Sequence, residues 1–409
     1  MKSYIKLIKD YWPSILNALL HNVFSGYGQT YFISLFVVYF QTDYSLGSTE
    51  FGSLYGFATL CGAFLIPFIG SKLDTRKPMH ISILTCLGLG VSFLLLSFSG
   101  SLFGLFLGLL LLRLFGQGMM VIIANTSIAK NFFLNRGRAL AISGLGRSIG
   151  EAIWPLLYVI LLQTMNWRTS WLLSFAFLFL VFLPAALYLY PRSKGEGKES
   201  LAKTPNKIKL PQERTYREIV RSISFYTIIP LSVLPPFLLT GLLFHQAEIS
   251  KLKAWGSDQL IKAFLAFAVC RFIFGILAGE LVDRFTAKKL YSTHCLPLAL
   301  GIFFLAYSEH PVASYLYLGL AGVCIGLASN IKNAFWPEMY GTENLGNIRS
   351  NISLLLVLST AISPVLFGFA LDQGVSIKTP IYSAVGVILI SSFLAHFGIS
   401  FQFEKENRA

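Results

Sequence analysis

Charge is scarce in this chain of 409 residues: 13% are Asp, Glu, Lys or Arg, against a hydrophobic share of 55%. Mean hydropathy is +0.64. Soluble globular domains carry about a quarter charged residues, so that class is excluded. Familiar enzyme signatures are missing too. There is no H-E-x-x-H and no glycine loop ending in Lys-Ser or Lys-Thr, which argues against metalloprotease and ATP-driven chemistry and predicts no cofactor; the one G-x-S-x-G, Gly146 to Gly150, lies inside an apolar run and not at a strand-to-helix turn. Cysteine is sparse. Cys61, Cys86, Cys270, Cys295 and Cys324 lie inside apolar runs without C-x-x-C spacing, so they are read as small core residues and neither a disulfide framework nor a metal site is expected.

What the chain does have is long apolar runs. A helix needs roughly 20 apolar residues to cross about 30 Å of hydrocarbon. Twelve such runs occur, at 13–40, 49–71, 79–99, 102–128, 138–164, 167–190, 222–247, 257–282, 290–308, 312–336, 346–371 and 379–402. The first is too long and too polar for a signal peptide and is expected to stay in the protein. Net charge is +14, which raises nucleic acid as a partner, but the placement of the bases argues for membrane topology instead. With the amino terminus inside, interior loops and tails hold 24 of the 33 bases, and exterior loops hold Arg168, Lys251, Lys253 and Lys378. Trp12, Trp167, Trp171, Trp255 and Trp336 fall at run ends, where amphipathic rings prefer to sit. The short loops point to a bacterial inner membrane with both termini cytoplasmic.

Between Pro191 and Arg221 the apolar pattern stops for 31 residues carrying nine bases and four acids. This stretch is read as a cytoplasmic linker joining six runs in 1–190 to six in 222–409. The halves echo each other. Gly70, Asp74, Arg76 and Lys77 close the second run, and Gly279, Asp283, Arg284 and Lys288 close the eighth. "IANTSIAKNFF" (Ile123 to Phe133) closes the fourth run and "LASNIKNAFWP" (Leu327 to Pro337) the tenth. Gly104 with Gly108, and Gly322 with Gly326, give each of those runs a small-xxx-small step suited to close helix contact.

A duplicated six-helix unit joined by a basic loop, with G-x-x-x-D-[RK]-x-x-x-[RK] after the second and eighth spans, resembles the major facilitator superfamily of transporters. The resemblance covers essentially the whole chain and implies an all-α membrane protein of twelve transmembrane helices in two repeats. It also implies alternating access about a central cavity between the halves. The loop motif is a conformational latch in that family. Gly70, Asp74 and Arg76 form a compressed first copy, and Gly279, Asp283, Arg284 and Lys288 a full second one. An aspartate there would accept from the first N–H groups of a neighbouring helix in one conformation only.

Charges deep in a span cost about 2.5 to 3.5 kcal/mol each on insertion scales, so each needs a reason. Arg113, Arg147, Glu151 and Arg271 qualify; Lys262 and Lys332 lie near span ends, where a long side chain reaches the interface. Arg271 follows the exterior start of its run by 14 residues, roughly 20 Å down at 1.5 Å per residue. "CRFIFGILAGELVDRF" (Cys270 to Phe285) is similar to span eight of the monocarboxylate and oxalate:formate branches, where an arginine binds the substrate carboxylate. Arg271 is therefore read as an anion anchor, with a structural ion pair as the rival. Phe267 stands where proton-coupled monocarboxylate carriers place an aspartate, and 352–371 lacks the lysine of oxalate exchangers.

"NFFLNRGRALAISGLGRSIGEAIWP" (Asn131 to Pro155) resembles the same branches, and Gly144, Gly146, Gly150 and Pro155 would let that span pack closely and bend. Arg147 and Glu151 stand four apart on one face, as a proton-coupling pair or a static ion pair. Low dielectric and a nearby arginine act in opposite directions on a carboxyl group's proton affinity. Arg113, in "LLRLFGQGMM" (Leu111 to Met120), is similar to the R-x-x-x-G motif of span four and is read either as a coupling residue or as the partner of Glu151. Polar residues His21, Tyr27 and Gln29 in the first span, with Asn125 and Asn330, complete the substrate-binding candidates. Three deep arginines against one deep acid favour a small organic anion, with protons as the possible coupling ion. Drug efflux, a channel and a non-transporting receptor are the alternatives.

Overall fold

The computed structural model describes residues 2–70, 76–132, 135–195, 216–256, 259–340, 345–376 and 378–408. These residues are almost wholly helical. Eleven helices are long and apolar enough to cross a membrane, and a bent pair supplies a twelfth span. In chain order they are α1 (Lys6–Gly28 with Thr30–Tyr44), α2 (Ser48–Gly70), α3 (Pro78–Phe98), α4 (Leu102–Ile128), α5 (Arg138–Thr164), α6 (Trp167–Arg192), α7 (Ile223–Phe244), α8 (Gln259–Val282), α9 (Ala287–Tyr307), α10 (Val312–Tyr340), α11 (Asn351–Asp372) and α12 (Lys378–Phe401). The chain divides into two compact units, Met1–Asn206 and Lys207–Ala409.

Each unit repeats one set of pairings. In the first, α1 packs on α5, α2 on α4, and α3 on both α4 and α6; in the second, α7 packs on α11, α8 on α10, and α9 on both α10 and α12. Helices in lipid associate through close packing, and in the second unit the glycine pair does what its spacing predicts. A Cβ on Gly322 would lie 2.3 Å from Phe267 O, and one on Gly326 would lie 2.7 Å from Arg271 O, so α10 and α8 touch backbone to backbone. The first unit departs from this expectation. A Cβ on Gly108 meets the Leu96 side chain, and one on Gly104 meets the Ser99 hydroxyl. Its backbone contacts lie elsewhere: Gly146 of α5 faces Leu19 O of α1, and Gly28 of α1 faces Gln117 N of α4.

The first apolar run is not one straight helix. α1 breaks at Gln29, which is extended (φ −84°, ψ 150°), and its two parts are bent by 45°. Opposite the break, α4 widens into π-helical turns over Leu112–Met120. Such turns recur at functional sites.

Several helix ends are clasped within each unit. Arg168 donates to Ser99 O at 2.7 Å and to Asp43 at 3.3 Å, and Trp167 Nε1 also reaches Asp43. In the second unit the Lys253 ammonium donates to Ala306 O, Ser308 O and Glu309, while Lys378 reaches the same Glu309 carboxylate at 2.8 Å. These bonds, from Lys378 first and Lys253 next, hold the Glu309 carboxyl below its ordinary value of 4.5. A group whose folded pKa is depressed stabilises the fold above its unfolded value and loses that contribution as pH falls through the folded one. Glu309→Gln is therefore expected to lower the melting midpoint in detergent at pH 7, by on the order of 1 °C because the pair is exposed. The difference from wild type should shrink as the buffer is taken from pH 5 to well below 4.5; an undiminished difference at acid pH would remove the ion pair as its cause.

Candidate functional site

The sequence candidates gather on the broken segment of α1 and on the α8–α10 pair. On α1, Asn22 donates to Ser143 O of α5 at 3.0 Å and accepts from Arg147 Nε at 3.4 Å. Two turns further along α5, Trp154 Nε1 donates to Val23 O at 2.7 Å. Glu151 lies between them on α5 with 6% of its surface exposed. Pro155 has no N–H, so the Glu151 carbonyl loses its helical partner and α5 is free to bend there. Gly146 and Gly150 allow this approach, since Cβ atoms there would lie 2.3 Å from Leu19 O and 2.9 Å from Val23 O, whereas Gly144 faces open space.

Arg113 leaves the widened turn of α4 and donates to Gly28 O at 3.0 Å, with its guanidinium 5.2 Å from the Tyr55 ring. It is 3% exposed, and its Nε has no acceptor among the described residues. The reading of Arg113 as partner of Glu151 is thus replaced by a bond to a carbonyl that the break in α1 leaves without its helical donor. Thr30, on the other side of the break, shares a 2.8 Å hydrogen bond with Tyr55. Neither Tyr55 nor Trp154 stood out in the sequence, because an aromatic in an apolar run carries no local mark of its partner.

Tyr27 and His21 are fully buried. Tyr27 packs among Trp154, Phe93 and Phe32. His21 Nδ1 donates to Asn17 O at 2.8 Å, which leaves Nε2 to accept from the Ser82 hydroxyl at 2.8 Å. Both ring nitrogens are therefore used inside the first unit. Gln29 and Asn125 are half-buried.

On the second unit, Arg271 is half-buried on α8, its guanidinium 6.0 Å from the Phe267 ring, and the backbone on either side of it is fixed by Gly322 and Gly326. Asn330 continues that seam, donating to Gly275 O at 2.7 Å.

Of the latch residues, Asp74 lies outside the described residues, and so does the side chain of Asp283. Gly70 ends α2, Arg76 and Arg284 are exposed, and Gly279 sits in α8 with open space around it. At the start of α9, the N–H groups of Ala287 and Lys288 donate to Glu338 of α10 at 3.3 and 3.1 Å. The carboxylate that caps this helix amino terminus among the described residues is Glu338, which is not a residue of the motif.

Two cavities of the second unit lie away from these groups. One, of about 340 Å³, lies among Leu234, Phe237, Phe367 and Ala384; the other, of about 550 Å³, among Phe274, Leu300, Phe303 and Leu389. Both are apolar grooves of the second unit. The charged residues, with their costly burial, mark the functional candidates more firmly than these grooves do.

Comparison with known proteins agrees with this architecture. The family model described as Major Facilitator Superfamily matches residues 18–250. Monocarboxylate transporter 6 of Mus musculus is 29% identical over 166 residues, which is 40% of this chain and 34% of the relative, so the match spans about a third of that protein's length. The crystal structure of a D-xylose-proton symporter superposes with a TM-score of 0.70 at 17% identity, covering 96% of this chain and 97% of its own. A bacterial homolog of the human lysosomal transporter Spinster gives 0.61 at 15%, covering 96% of each. At such identities the structures speak to the fold, while the family model matches more than half of the chain. The chain belongs to the major facilitator superfamily of transporters.

Proposed function

We propose that this protein is a secondary transporter of a small organic carboxylate, with Arg271 as the anion anchor and the Arg147–Glu151 face of α5 carrying a coupled proton. The reading rests chiefly on Arg271. A guanidinium deep in a span is retained where a planar anion can meet its fork, and the glycine seam between α8 and α10 gives it a rigid base. The segment match to a monocarboxylate transporter points the same way. In this scheme residues 191–221 link two six-helix bundles, the latch loops face the cytoplasm, and the host membrane is a bacterial inner membrane.

Thermal unfolding in detergent tests the anchor. Monocarboxylates, dicarboxylates, sugars and lipophilic cations are added singly to wild type and Arg271→Gln. A binder at about 100 times its dissociation constant stabilises the fold by roughly 2.7 kcal/mol. One carboxylate class is expected to raise the midpoint of wild type and to leave Arg271→Gln unmoved. Stabilisation by lipophilic cations, or by a carboxylate acting equally on both proteins, would favour the efflux reading and return Arg271 to a structural role.

A further inference from the structure

α7 carries three prolines, Pro230, Pro235 and Pro236. Proline has no N–H, so the carbonyl four residues earlier in a helix loses its partner, and in lipid a bare carbonyl is costly. For Pro235 that carbonyl is Leu231 O; for Pro236 it is Ser232 O. Neighbouring helices supply both. The Cys295 thiol of α9 donates to Leu231 O at 3.5 Å, and the Lys332 ammonium of α10 donates to Ser232 O at 2.9 Å. Around them the Ser232 hydroxyl bonds Tyr291 at 2.6 Å, and the Tyr291 ring stacks on Phe335 with centroids 3.8 Å apart.

We propose that Lys332 is the positioning residue of a hinge in α7: its ammonium stands in for the N–H that Pro236 removes and fixes the helix about residues 231–236. Lys332 lies near the interior end of α10, yet it turns inward to this carbonyl instead of reaching for the interface. Lys253 shows the contrast. Its ammonium fills three acceptors at the exterior surface, whereas Lys332 has one, Ser232 O, among the described residues. An ammonium kept among apolar helices with a single acceptor is retained for that acceptor, because a methionine there would avoid the desolvation and leave the carbonyl bare. Two adjacent prolines remove two successive rungs of the helix ladder, so α7 is weakest where Cys295 and Lys332 hold it. The hinge is independent of which substrate the protein carries.

The register of the two prolines provides the test. Lys332→Met, alone and combined with Pro236→Ala or Pro235→Ala, is made in the full chain. Hydrogen–deuterium exchange of peptides covering 226–244 is then followed in detergent with the melting midpoint. Lys332→Met is expected to speed exchange in α7 by about tenfold or more and to lower the midpoint. Pro236→Ala returns an N–H to Ser232 O and should restore both quantities in the Lys332→Met background. Pro235→Ala serves Leu231 O and should not. If Lys332→Met alone does not fold, recovery of the Pro236→Ala double variant but not of the Pro235→Ala one carries the same information. Equal rescue by both, or by neither, overturns the proposal, as does faster exchange spread evenly over α7, α9 and α10.

Discussion

Gly322→Ala is expected to lower the melting midpoint sharply, whereas Gly319→Ala, less than one turn away on the same helix, is expected to be neutral or stabilising. Alanine is favoured over glycine in a helix interior by about 0.8 to 1 kcal/mol, so propensity alone would stabilise both variants. Steric fit separates them. At Gly319 a new methyl would meet Cys270 Sγ at 3.6 Å and the Ala266 Cβ at 3.9 Å, which is ordinary contact. At Gly322 it would lie 2.3 Å from Phe267 O and 3.1 Å from Arg271 N, and these are backbone atoms that yield only if α8 moves as a body. Overpacking of this kind costs roughly 1 to 3 kcal/mol, occasionally more.

The consequence reaches Arg271, the proposed anion anchor, because Gly322 and Gly326 bracket its peptide units. A shift of α8 away from α10 carries the guanidinium with it. Gly322→Ala protein that still folds is therefore expected to lose the carboxylate-dependent rise in midpoint as well. Equal midpoints for the Gly319 and Gly322 variants would show that the α8–α10 seam has room to spare.

Much of this architecture could be read from the chain because lipid imposes a simple rule, that every span is apolar for about 20 residues. The run at 102–128 corresponds to Leu102–Ile128 and that at 138–164 to Arg138–Thr164. Features that depend on a partner helix were not legible. The break at Gln29 lies inside one apolar run, and its stability comes from α4, whose widened turn brings Arg113 to Gly28 O. Lys332 reads as an interfacial lysine by its position, and only the loss of two amide donors at Pro235 and Pro236, on a different helix, gives it a carbonyl to hold. The glycine spacing of α4 matched that of α10 while its packing did not, because Gly108 faces a side chain and Gly322 faces a backbone. Spacing identifies a surface on which a helix can approach closely; the partner decides whether it does.

Glu151→Gln is expected to abolish proton-driven accumulation while leaving ligand-induced stabilisation in place. Glutamine keeps the shape of the side chain and removes its proton exchange, so packing around Gly150, Trp154 and Pro155 is preserved. Glu151 suits a coupling role because it is almost wholly buried on a face of α5 whose neighbours, Arg147 and Trp154, bond to α1 at Asn22 and Val23. A change in its charge therefore acts where α5 and α1 meet, about two turns before the break in α1 at Gln29. In proteoliposomes a gradient of two pH units is worth about 2.7 kcal/mol, enough for about a hundredfold accumulation at one proton per anion. Wild type is expected to approach that ratio with the carboxylate identified by thermal shift. The Glu151→Gln variant should fall to near unity while still exchanging labelled for unlabelled anion. If accumulation survives in Glu151→Gln, the carboxylate is a fixed partner in the α1–α5 interface, and the coupled proton, if the cycle uses one, is bound elsewhere.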